Sequence, residues 1–239
     1  NILNMFIKVR GDVEKSADTL KGRKLKKNLP PYLYDETGAL KEWATTSFDE
    51  NNKHRHLSHL YGVWPLFETQ GNDELSKACE QAIANRQSEN EASHALVHRS
   101  LIASRLKDSD SLTDALVKLM NHKIRYDSLM TNHDYDQGSC YCTDFAIGYL
   151  GIINEALVYS HNNDIEFLPA LPNSGFENGT LKGIKTRNRA TVTELKWADG
   201  GKTISAIVTS DIDQKLNIKA GGKSQTVEFK AGESKTFRF

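Results

Sequence analysis

Residues 161–172 read His-Asn-Asn-Asp-Ile-Glu-Phe-Leu-Pro-Ala-Leu-Pro, and this stretch divides the sequence into two kinds of pattern. Pro169 and Pro172 stop a helix, because each fixes φ and lacks an amide proton. Downstream, Gly175, Gly179 and Gly183 punctuate the chain, and apolar and polar residues alternate along 190–197, 203–210, 215–219, 225–230 and 234–239. Asp199-Gly200-Gly201 and Gly221-Gly222 between them are hairpin signals. Upstream the apolar period is three to four residues. Leu75, Ala78, Cys79, Ala82 and Ile83 form one stripe, and Leu96, Leu101, Ile102 and Leu106 form another. Leu112, Ala115, Leu116 and Leu119 form a third, for which Ser111 or Thr113 is the expected cap. The fourth runs through Phe145, Tyr149, Ile152, Ile153, Ala156 and Leu157.

The expected fold is therefore mainly α followed by all-β: a helical part over 1–162 and a small antiparallel β-domain over 163–239. Residues 2–13 begin in an amphipathic pattern without a cap, so the helical part is expected to be incomplete at its amino-terminal side.

The 239 residues are 38% hydrophobic and 26% charged, which suits a packed globular chain rather than a disordered one. Lys+Arg and Asp+Glu balance at 31 each, so no net field gathers nucleic acid or an anionic membrane. No apolar run approaches the roughly 20 residues that span a bilayer, and the sequence is expected to be soluble. A neutral partner such as a sugar fits this balance, and no cofactor is implied.

The densest polar cluster is His54-Arg55-His56-Leu57-Ser58-His59-Leu60, ahead of the apolar Tyr61-Gly62-Val63-Trp64-Pro65. On a helix, His56 and His59 would share a face with Arg55 beside them, and such a group can donate directed hydrogen bonds to sugar hydroxyls. A helix start with surface histidines and one structural arginine explains the same run. A metal site is the third reading, because His56-x-x-His59 and Cys140-x-Cys142 are zinc-type ligands. The one-residue gap between the thiols departs from the usual knuckle, so buried inert thiols and no metal are expected.

Cleavage of a glycosidic bond needs an acid at the leaving oxygen and a second group that activates water or attacks. Glu42 suits the first role, since the adjacent Trp43 can desolvate its carboxyl and stack on a sugar ring. Asp144 suits the second, although an aspartate just before the apolar helix from Phe145 also reads as its N-cap. The basic run 23–27 reads as a solvated face. No glycine-rich loop precedes a helix as a phosphate cradle, and no strained serine elbow is present.

In order, these segments resemble glycoside hydrolase family 95, chiefly 1,2-α-L-fucosidases with some α-L-galactosidases. Residues 38–43 look like its G-x-L-x-E-W segment, and 54–60 match its HRH-x-SHL segment at every fixed position. Thr143-Asp144 with Gly148 and the helix to Ser160 is similar to its I-D-G-N-F-G stretch, and 168–172 is similar to the LPALP leading into its carboxy-terminal domain.

The resemblance implies the carboxy-terminal part of an (α/α)6 barrel followed by a β-sandwich-like domain. It also implies an inverting hydrolase of terminal α-linked L-fucose or a related L-sugar on oligosaccharides, secreted or periplasmic. By matching position, Glu42 is the expected general acid and Asp144 the carboxylate that polarises water. Arg55 and His56 are the expected glycone contacts, with Trp43 and His59 beside them. The water-holding asparagines of the family lie well before its acid, so the expected partner besides a glycan is an amino-terminal part of the same protein. Two departures stand near the site: Phe145-Ala146-Ile147-Gly148 replaces Gly-Asn-Phe-Gly, and the family's two tryptophans are missing around Ser93 to His98. They leave open a different glycone or an inactive sugar-binding protein of the same fold.

Overall fold

The computed structural model describes residues 17–50, 52–86, 92–120, 131 and 141–239; the pattern at 2–13 lies outside them. The chain forms two compact units, residues 1–88 and 89–239.

In the first unit, α1 (Ala17–Lys27) is followed by a 3-10 turn (Ser58–Gly62) and α2 (Asp73–Asn85). Helix α2 starts where the Asn72 side chain accepts from the Leu75 amide at 3.1 Å, and Asp73 and Glu74 complement the positive end of its dipole. Its buried residues are the predicted stripe Leu75, Ala78, Cys79, Ala82 and Ile83. Against them docks a tight turn. Asp35 Oδ1 accepts from the amides of Thr37 (2.8 Å) and Ala39 (3.0 Å), Gly38 takes φ +83°, and the Leu40 amide reaches the Ala78 carbonyl at 3.0 Å. With Ala39 and Leu40 buried, Glu42 stands two residues past a fixed anchor.

In the second unit, α3 (Ser93–Leu106), α4 (Ser109–Leu119) and α5 (Thr143–Leu157) precede the strands. Neither Ser111 nor Thr113 caps α4. Asp108 does, accepting from the Ser111 amide at 2.9 Å, because the helix begins at Ser109, most of a turn before its apolar stripe starts at Leu112. Helices α3 and α5 approach closely at Gly148, where a Cβ would lie 2.8 Å from Val97 Cγ1. Between them Arg105, fully buried, meets Glu155 (Nε–Oε2 and Nη2–Oε2 both 3.1 Å), and Arg187, in the turn after the strand Gly179–Lys185, donates to the other oxygen of Glu155.

The helix expected to reach Ser160 ends at Leu157, and Val158–His161 is strand β1. The others are β2 (Asp164–Phe167), β3 (Gly179–Lys185), β4 (Ala190–Ala198), β5 (Thr203–Ser210), β6 (Gln214–Ala220), β7 (Lys223–Phe229) and β8 (Ser234–Arg238). They form two four-stranded sheets, ordered β1-β2-β6-β7 and β3-β4-β5-β8. The expectation of a wholly antiparallel domain is corrected at one pair. Strand β6 crosses from the other sheet and runs parallel to β2. Gly221 and Gly222, both at positive φ, close the two-residue β6–β7 hairpin, as a primed turn requires. Both sheets point into one core that includes Ile165, Phe167 and Ile218 from the first and Val192, Leu195 and Val208 from the second.

Candidate active site

The loop after Leu40 is closed by Glu50, whose Oε2 accepts the Glu42 amide at 2.7 Å while Oε1 pairs with Lys41 Nζ at 2.8 Å. The Glu42 backbone is thereby fixed. Its carboxyl is fixed too: Oε2 lies 2.9 Å from Arg86 Nη2, with side-chain exposures of 18% for Glu42 and 1% for Arg86. Arg86 follows the last residue of α2, so that helix delivers the guanidinium. Trp43 is exposed, and its indole meets the Phe48 ring edge-on, centroids 5.5 Å apart.

The run at 54–60 is not a helix from its start. Only Ser58–Gly62 winds into a 3-10 turn, anchored by buried Leu60, with Leu57 buried just before it. The predicted common face of His56 and His59 is therefore absent. His56 instead tilts against His54, ring centroids 5.1 Å apart, and His59 Nδ1 approaches Arg86 Nη2 at 3.4 Å. Arg86 Nη1 also donates to the His54 carbonyl at 3.2 Å. Arg55 is exposed. Glu42 and the histidine run, separate in sequence, thus share one guanidinium.

In the second unit Asp144 is not the cap of α5. Cys142 occupies the cap position with no side-chain bond, and Asp144 lies in the first turn, where the helix dipole favours a negative charge. Its side chain is exposed, with Oδ1 3.5 Å from His94 Nδ1 of α3 and Oδ2 4.0 Å from Cys142 Sγ. Glu42 and Asp144 belong to different units.

Among the described residues no group of three or more His, Cys, Asp or Glu side chains is placed to hold a metal. Cys140 lies outside the described residues. Burial, with a smaller contribution from Glu80, pushes the Cys79 thiol up to about 12, so it is an inert core residue.

Arg86, Glu50 and His94 were not singled out from the sequence. A charged residue at a helix end ordinarily reads as solvated, and neither spacing nor composition signals that Arg86 is buried. Its one distinguishing feature is its position directly after the helix that carries the apolar stripe.

A family model for the "Glycosyl hydrolase family 95 catalytic domain" matches residues 1–157, and one for the "Glycoside hydrolase family 95, C-terminal domain" matches 159–238. "Alpha-L-fucosidase 2" of Arabidopsis thaliana is 30% identical over 200 residues, which are 78% of this chain and 23% of that protein. "Probable alpha-fucosidase A" of Aspergillus oryzae is 28% identical over 196 residues, 72% of this chain and 27% of that protein. The chain thus spans about a quarter of the length of these curated relatives. A solved structure named "Putative kojibiose phosphorylase from human microbiome" shares the fold, with TM-score 0.54 and 13% identity over 97% of this chain and 36% of that one. With adjoining family models accounting for the helices and for the strands, the chain belongs to glycosyl hydrolase family 95.

Proposed function

We propose that the chain is the carboxy-terminal part of an inverting exo-glycosidase that removes terminal α-linked L-fucose, or a related L-sugar, from oligosaccharides. Glu42 protonates the leaving oxygen, and Asp144 polarises the attacking water. Arg55 and His56 hold the glycone hydroxyls, with Trp43 as a stacking surface and His59 as a further donor. On this reading residues 1–162 are the helical part of an (α/α)6 barrel and 163–239 its carboxy-terminal domain, and the reaction is carried out by the longer protein. The observation that carries the reading is the match of the two family models over residues 1–157 and 159–238, with Glu42 mostly buried and an exposed indole following it. Family membership and the names of the two fucosidase relatives support the substrate class.

The test is hydrolysis of an aryl α-L-fucoside and an aryl α-L-galactoside by the full-length protein and its Glu42→Gln variant. A general acid contributes on the order of 10²- to 10⁴-fold, and a loss of that size is expected in kcat. Equal activity of the two proteins would remove Glu42 from the mechanism.

A sugar-binding protein without turnover is the second reading, favoured by the exposure of Asp144 and its contact with His94. Fucose binding by the intact full-length protein with no hydrolysis would select it.

A further inference from the structure

We propose that Trp43 and Phe48 form a stacking platform for the sugar on the leaving side of the scissile bond, which makes Phe48 a specificity-determining residue. The inference rests on the reading of the chain as part of an exo-glycosidase and is independent of which carboxyl donates the proton.

Single apolar side chains scattered over a surface are ordinary, whereas two large ones on one loop, in contact with each other, mark a surface that meets something. Trp43 is 45% exposed and Phe48 57%, and their rings stand 5.5 Å apart at 67°, so together they form a corner rather than a flat patch. The loop that carries them is tied at its mouth. Lys41 Nζ reaches Glu50 Oε1 at 2.8 Å and donates to the Phe48 carbonyl at 3.3 Å, while Glu50 Oε2 accepts the Glu42 amide at 2.7 Å. Inside the loop the Thr45 hydroxyl donates to Ser47 Oγ and accepts the Ser47 amide, both at 3.2 Å. The backbone beside both rings is therefore held before any ligand arrives, and a ligand does not have to order it.

A pyranose has a face of C–H groups and a rim of hydroxyls, and the electron-rich face of an aromatic ring suits the first. The site's own contacts say which sugar this is. Glu42, next to Trp43, binds Arg86 Nη2 at 2.9 Å, and Arg86 Nη1 donates to the His54 carbonyl at 3.2 Å. The platform thus shares an anchor with the run that holds Arg55 and His56, the residues read as glycone contacts. An exo-enzyme encloses only the terminal sugar, so the rest of the oligosaccharide lies toward solvent, where exposed rings can reach it.

The test uses the full-length protein as wild type, Phe48→Ala, Phe48→Leu and Phe48→Tyr. Each is assayed on fucosyl-α-1,2-lactose, whose leaving group is a disaccharide, and on α-L-fucosyl fluoride, whose leaving group is a single atom. Lactose is then titrated as an inhibitor of fluoride hydrolysis. Phe48→Ala is expected to raise KM on the oligosaccharide about 10-fold with a smaller change in kcat, and to weaken lactose inhibition by the same factor, with much less effect on the fluoride. Phe48→Leu, which keeps an apolar side chain but no ring, shows the same bias and guards against misfolding of the alanine variant. Phe48→Tyr keeps the ring and stays close to wild type. Wild-type values of both lactose inhibition and the ratio of the two rates in Phe48→Ala would overturn the proposal. A loss on both substrates together, or a lower melting temperature, with lactose inhibition unchanged assigns the ring to packing against another part of the protein and overturns it equally. If the wild-type protein hydrolyses neither substrate, the exo-glycosidase reading fails, and calorimetry with fucosyl-α-1,2-lactose decides the platform. It stands if Phe48→Ala binds about 10-fold more weakly than wild type, and falls if the two bind equally or wild type does not bind.

Discussion

Replacing Glu155 by alanine tests how the second unit is held together. Its carboxylate is 5% exposed and takes two 3.1 Å contacts from Arg105, whose side chain is 0% exposed, and one bond from Arg187. Burial drives the Arg105 pKa down from its ordinary value, and the Glu155 carboxylate opposes that shift. Removing Glu155 leaves the Arg105 guanidinium buried between α3 and α5 without the carboxylate that opposes its desolvation. Breaking a buried pair from one side costs about 3–5 kcal/mol. At about 2–4 °C per kcal/mol for a unit of this size, the melting temperature falls by roughly 6–20 °C. Thermal unfolding of the full-length protein followed by circular dichroism reads this directly. The Arg105→Met/Glu155→Leu pair, which removes both charges and keeps apolar volume, is expected to regain most of the loss. Arg187→Ala, with a 42% exposed side chain, costs less than about 1 kcal/mol. A Glu155→Ala protein within about 1 kcal/mol of wild type, or a double variant as unstable as the single, would refute the reasoning.

Two further outcomes follow from local geometry. Gly148→Ala drives a methyl to within 2.8 Å of Val97 Cγ1 and is expected to cost about 1–3 kcal/mol, relieved when Val97→Ala is added; a denaturation series on the four proteins checks it. For Asp35, burial raises the pKa but bonds from Thr37 and Ala39 outweigh it, so the folded value lies below the ordinary one. Its contribution is present above the unfolded pKa of about 3.9 and fades as pH falls through the lower folded value, so Asp35→Asn should narrow the stability gap to wild type as pH is lowered in that range.

Much of the fold was legible because period is a direct consequence of burial. The stripe of α2 and the strand 203–210 were read at their observed positions. The strands at 158–167 were missed because Val158 and Tyr159 continue the apolar pattern of α5 without a break, and only pairing with β2 tells strand from helix there. The parallel β2–β6 pair was hidden for a related reason: alternation marks a strand but carries no direction. At the site, the residue types were legible and their partners were not. Glu42 and the histidine run were picked out by chemistry, whereas Arg86, which joins them, and His94, which meets Asp144, depend on contacts far apart in sequence. The common face of His56 and His59 failed because buried Leu57 and Leu60 pin a short 3-10 turn, not a full helix.

The most direct measurement is proton NMR of the sugar first released from an α-L-fucoside by the full-length protein, with Glu42→Gln run alongside. The account predicts β-L-fucose as the initial product, before mutarotation, and a rate from Glu42→Gln lower by on the order of 10²-fold or more. Initial α-L-fucose, or release by Glu42→Gln at the wild-type rate, would contradict it.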